Sequence, residues 1–171
     1  PVHAEAYRRA ALTVVAAVTQ DLPSVLPCDG SGGNRGVCTS QFLRTFGRRA
    51  FRRPLQPAEQ ARYEMLAASA PSFEAGIAWS IAALLQSPHF LYRSELGEPQ
   101  PDGRFRLGPF EVASALSYLY WGTMPDEVLL AAAERGELLD AGTIERQARR
   151  MLADPRARAQ LGDFALQWLG V

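Results

Sequence analysis

Leu43-Arg-Thr-Phe-Gly-Arg-Arg-Ala-Phe-Arg-Arg-Pro54 is the stretch that decides the fold class of this 171-residue chain. Phe42, Phe46 and Ala50 recur at the spacing of one helical face and mark a buried stripe. Arg44, Arg48 and Arg52 form a second stripe flanked by Arg49 and Arg53. A short helix, capped by Thr39 or Ser40 and stopped by Pro54, is therefore expected to present five arginines as one cationic face. The face suits an anion or an acidic partner, because arginine's planar fork pairs bidentately with oxyanions and tolerates partial burial. The alternative is a solvated or internally paired face, with Glu59, Glu64, Glu74 and Glu95 as available partners.

Helical periodicity continues on both sides. A first helix is expected from about Ala4 to Asp21, with Tyr7, Ala11, Val14, Val15 and Val18 inward and Pro23 and Pro27 beyond its end. Pro57 opens a third helix at its first turn, with Ala61, Met65 and Ala68 inward, and Pro71 breaks it. A fourth begins at Ser72 and carries the cleanest amphipathic set, Phe73, Ile77, Ile81, Leu84 and Leu85, with Trp79 on another side. Residues 97–108 contain Pro99, Pro101, Gly103 and Gly108 among polar residues and read as a linker. Beyond it, helices are expected from Pro109 to Trp121, from Pro125 to about Arg135, from Thr143 to Ala153 and from Arg156 to Leu169. The expected fold is all-α, an irregular bundle of about eight helices. Residues 1–96 form one helical domain and residues 109–171 the start of a second.

The 18 acidic and 18 basic residues balance, and the basic ones are all arginine. Such a chain has no long-range field to gather nucleic acid, so any anion binding is local. Its apolar runs, from Ala10 to Val18 and from Ile77 to Leu85, fall short of the roughly 20 residues a membrane span needs. Proline at position 1 implies that a start or targeting signal was removed or was never present in this stretch. Cys28 and Cys38 bracket a loop with Gly30, Gly32, Gly33 and Gly36, flexible enough to close a disulfide. The bond would imply an oxidising compartment outside the cytoplasm; the alternative is two unlinked thiols in a cytosolic protein.

No reaction is legible. The chain lacks Cys-x-x-Cys-His, so it attaches no c-type haem covalently. His89, after Pro88, reads as a capped or core histidine, or as an axial ligand reaching to a haem held by a neighbouring domain. His3 stands near the N-terminus and carries less weight. Neither a zinc nor an iron site can be assembled from two histidines and two paired cysteines. Asp29, Ser31 and Asn34 only faintly suggest a calcium loop, which would need more carboxylates. Glu111 and Asp126 stand at helix starts, where dipole and cap account for an acid without catalysis.

Three further pieces follow the arginine segment and its Phe51-Arg-Arg-Pro-Leu55 end. They are Leu84-Leu-Gln-Ser-Pro-His-Phe-Leu-Tyr-Arg93, Ala115-Leu-Ser-Tyr-Leu-Tyr-Trp-Gly-Thr-Met-Pro-Asp126 and Arg149-Arg-Met-Leu-Ala-Asp-Pro-Arg156. In this order they resemble the planctomycete-type, cytochrome-c-associated domains of unknown function also found in myxobacteria. The resemblance implies an internal piece of a larger secreted or periplasmic protein, truncated in its second domain, which carries or neighbours a c-type haem domain. It implies partners among other segments or chains of that protein and transfers no catalytic residue. Two functions stay open: a scaffold or docking module, with the arginines and exposed aromatics as its seam, or a fragment of an extracytoplasmic enzyme, oxidoreductase or polysaccharide-active, completed by other segments.

Overall fold

The computed structural model describes residues 2–30 and 32–170, the side chains of residues 2, 3 and 32 excepted. Ser31 and the side chain of His3 thus lie outside the described residues. Among the described residues 73% are helical, in ten α-helices and two short 3-10 turns, so the protein is all-α, and the chain divides into two compact units between Arg93 and Ser94.

The first unit contains α1 (Val2–Gln20), α2 (Leu22–Val25), a short 3-10 turn (Gly32–Asn34), α3 (Arg35–Phe51), α4 (Pro57–Ala68), α5 (Phe73–Leu85) and α6 (Pro88–Leu91). Helix α5 is the central one: it packs on α1, α3 and α4. Its Ile77, Ile81 and Leu84 meet Leu22, Phe42, Leu43 and Phe51 in the core. Ser72 caps α5, its hydroxyl accepting from Ala75 N at 3.1 Å. Gly76 lets α4 and α5 touch, because a Cβ there would lie 2.6 Å from the Ala67 carbonyl oxygen. The disulfide between Cys28 and Cys38 is present, with Cα atoms 5.6 Å apart, and ties the glycine loop to the start of α3.

Local details depart from the sequence pattern. Helix α3 starts at Arg35, so Thr39 and Ser40 lie inside it and cap nothing, and it ends at Phe51 rather than running on through Arg53. The inward face of α4 is Glu59, Tyr63, Leu66 and Ala67, whereas Met65 is 64% exposed. On α1, Ala11 is buried and Val15 and Val18 are half-buried, but Tyr7 and Val14 face out. Two single-turn helices, α2 and α6, join the eight expected ones. Each has a proline in its first positions, where the missing N–H costs nothing.

In the second unit, residues 97–108 hold a small antiparallel hairpin, β1 (Glu98–Pro99) paired with β2 (Phe105–Arg106), rather than an open linker. Four helices follow: α7 (Pro109–Trp121), α8 (Glu127–Glu134), α9 (Ala141–Leu152) and α10 (Pro155–Leu169). Asp126, Asp140 and Asp154 each cap the helix that follows. The core gathers Ala113, Leu116, Trp121, Leu129, Leu138 and Met151, and Trp121 Nε1 donates to Met151 O at 3.1 Å.

Candidate functional site

The arginine segment does not form one cationic face. Where α3 stops, Arg52 takes a left-handed conformation, φ 59°, the one positive φ of a non-glycine among the described residues. Such a conformation costs roughly 1–2 kcal/mol in an L-residue. It turns the side chain inward, where Arg52 is only 5% exposed. Nη1 donates to Ala50 O and Phe90 O, both at 3.2 Å, and Nη2 to His89 O at 2.6 Å and Tyr92 O at 2.8 Å. Three of these carbonyls belong to the end of α6, where the last turn of a helix leaves acceptors without partners. A buried guanidinium thus finds acceptors for its N–H groups and closes α6 onto α3.

Arg53 turns the other way. Its two terminal nitrogens bind Glu59 bidentately at 2.8 and 2.9 Å, while Gln56 N donates to Glu59 Oε2 at 2.8 Å. Glu59 is buried in the first turn of α4, and His89 Nε2 stands 3.3 Å from its Oε1. The Arg53 fork first, then the Gln56 N–H and the nearby charges, overcome burial and hold the Glu59 carboxyl at about 2. The Phe51 ring lies beside both residues, 5.2 Å from the His89 ring and 5.6 Å from the Arg53 guanidinium carbon. Arg52, Arg53, Glu59 and His89 therefore form one knot that joins α3, α4 and α6.

Of the remaining arginines, Arg48 is half-buried and engaged, and Arg44 and Arg49 are exposed on α3. Glu59 had a signal in the sequence, since an acid three residues after the residue that precedes Pro57 is where a helix start draws a carboxylate. Arg52 had none, because three of its four acceptors come from a distant segment.

The acids elsewhere serve helix starts and ion pairs. Burial opposes ionisation of Glu111, yet the N–H groups of Gly108, Gly97 and Leu96 keep it below the usual carboxylate range. Burial likewise opposes Asp126, which Arg150 and the Leu129 N–H pull down. Asp154 is held at about 2 by Arg156. Among the described residues the carboxyls that their surroundings perturb are all held below the usual carboxylate range, the reverse of what a general acid requires. Nor does any group of three or more His, Cys, Asp and Glu among them have the geometry of a metal site.

An exposed apolar stripe lies on α10. Ala157, Leu161, Phe164 and Trp168 follow one another at steps of four, three and four residues and so share one face. Ala157 is buried in the core of the second unit, and the stripe then runs outward through Leu161 and Phe164 to Trp168, which is 78% exposed.

Residues 38–95 match the family described as PSD5, protein of unknown function (DUF1595), and residues 107–171 match PSD4, protein of unknown function (DUF1592). No curated protein and no solved structure matches the chain. Domains of unknown function are thus present in both units, in the order the motif order suggested.

Proposed function

We propose that this chain, which joins two domains of unknown function, is a helical docking module of a larger cytochrome-c-associated redox protein. The stripe on α10 carries the reading. A row with steps of four, three and four residues is the pattern one helix offers to another, apolar knobs at the spacing that fits a facing groove. Burying each of Leu161, Phe164 and Trp168 against a partner is worth about 1.5–3 kcal/mol before the cost of association, enough to seat a helix. The occupant is an apolar helical surface on the partner domain or chain, and the c-type haem belongs to that partner. Two observations favour docking over chemistry. The arginines of the Phe51–Pro54 corner are tied into the fold, and the shifted carboxyls are held ionised. The Cys28–Cys38 disulfide and the lack, among the described residues, of a helix long and apolar enough to cross a membrane are compatible with work in the periplasm or outside the cell.

The test is an absorption spectrum and intact mass of the natively purified complex, beside the same preparation carrying Phe164→Ser and Trp168→Ser. A Soret band with a second polypeptide, lost in the variant while its circular dichroism is unchanged, supports the module. A colourless, solitary 18.7 kDa chain overturns it, as does a Soret band that survives the substitutions.

A further inference from the structure

On the first unit, a groove of about 780 Å³ opens between the start of α3, the end of α4 and the connection to α5. That volume lies within the range of small-molecule sites. Small residues line both long walls, Gly36 on α3 and Ala67 and Ala68 on α4, with Pro71 and Phe73 closing one end. The polar lining is Arg35, Thr39, Ser40, Arg44, Glu64 and Ser72.

Three features of that lining point to a ligand. First, Thr39 is 9% exposed, and among the described residues its hydroxyl makes no hydrogen bond. The other threonine hydroxyls of α1, α3 and α9 all bond locally, so the Thr39 hydroxyl, which opens on the groove, keeps its donor and acceptor for a ligand. Second, Arg35 and Arg44 are both exposed; their charges are felt by Glu74 and Glu64, yet no close ion pair ties up either fork among the described residues, and Arg35 lies over the Phe73 ring at 6.0 Å. In a chain where most arginines near an acid take it, two arginines on one groove leave forks for an oxyanion. Third, Glu64 is fixed as an acceptor. Gln60 Nε2 donates to its Oε1 at 2.7 Å and is itself anchored on Ser40 O at 3.2 Å. Bonds from Gln60 and Ser40 hold Glu64 below the usual carboxylate range, against burial and with help from Arg44.

The combination is selective. A bare inorganic anion would meet the arginines but also the Glu64 charge. A neutral sugar would satisfy Glu64 and the hydroxyls and leave both arginines unanswered. A molecule that carries a carboxylate together with several hydroxyls answers both sets, while its C–H faces suit walls of alanine, valine and proline. We propose that this groove binds a sugar acid, a uronate residue or short uronate chain, whose carboxylate faces Arg35 and Arg44 and whose hydroxyls face Glu64 and Thr39. The site lies wholly on the first unit and is independent of the docking stripe on the second.

The experiment is a two-dimensional amide NMR titration of the whole chain with trigalacturonate, maltotriose and sodium sulfate in turn. Trigalacturonate should give saturable shifts confined to residues 35–40, 64 and 67–73, while maltotriose and sulfate should bind at least about tenfold more weakly. The double variant Arg35→Gln, Arg44→Gln should lose about tenfold or more in affinity, the worth of one charge-assisted pair, with an unchanged melting temperature because both side chains are exposed. Thr39→Val should weaken binding while Thr39→Ser retains it; if Thr39→Val fails to fold, the arginine variant decides alone. Equal binding of sulfate would mean an adventitious ion only. That result, equal binding of maltotriose, shifts scattered outside the groove, or no saturable shift to millimolar ligand would each overturn the proposal.

Discussion

Replacing Glu59 by glutamine should destabilise the first unit by about 3 kcal/mol at neutral pH and by almost nothing near pH 2. The magnitude follows from the carboxyl's move from an ordinary 4.5 to about 2, at roughly 1.4 kcal/mol for each tenfold in its ionisation constant. Glu59 is only 5% exposed, so solvent screens little of this. Its folded value lies below its unfolded one, so as the pH falls the unfolded chain takes up the proton first. The stabilisation is therefore complete above about pH 4.5 and drains away as the pH falls towards about 2. The glutamine variant has no such proton to bind. Its deficit against the parent should shrink along the same interval, while contributions from other carboxylates, such as Asp154 and Glu111, cancel in the difference. Urea unfolding followed by NMR signals of the first unit, at a series of pH values, measures this directly. Adding Arg53→Gln tests the cause, because the bidentate pair makes the two substitutions strongly non-additive. A deficit that stays constant from pH 7 to pH 2, or one below about 0.5 kcal/mol at pH 7, would refute the assignment of Glu59 as the ionised centre of the knot.

Arg52→Ala should lower stability by more than about 3 kcal/mol, since four hydrogen bonds from a charged donor are lost and the carbonyls at the end of α6 lose the group that ties them to α3. Arg52→Gly should recover only the roughly 1–2 kcal/mol of left-handed backbone cost and so fall between alanine and the parent in thermal melting. Reduction of the disulfide removes roughly 3 kcal/mol through the 10-residue separation of Cys28 and Cys38, and intact mass after alkylation should show two labels only when reductant is present. Gly76→Ala should cost about 1–3 kcal/mol or displace α5 from α4, because the new methyl would meet the Ala67 carbonyl, and a lowered melting temperature would report it.

The exposed arginines and the buried one show how far local reading reaches. Phe42 and Ala50 are buried as the helical period requires, and the paired cysteines are bonded as the flexible loop allows. Both depend on residues close in sequence. The face of α4 was misread because Ala61, Met65 and Ala68 are apolar and correctly spaced, yet the opposite side meets α3 and α5. An alanine-rich helix carries little hydrophobic contrast, so its neighbours choose its inner side. The groove was equally invisible, since its small walls and its arginines acquire meaning only once α3 and α4 stand side by side.

By itself the sequence determined the helical class, the helix starts at Pro57, Pro109 and Asp126 and the likeness to domains of unknown function, and it allowed the disulfide. All of these follow from propensities, caps and motifs that act within a few residues. Tertiary structure alone decided what each long polar side chain meets. Arg52 finds three of its four acceptors 37 to 40 residues further along the chain, and a guanidinium on a flexible stem has no local preference that could announce them. Only packing of α3 against α6 brings those carbonyls within reach, and that turned an expected binding face into a structural joint.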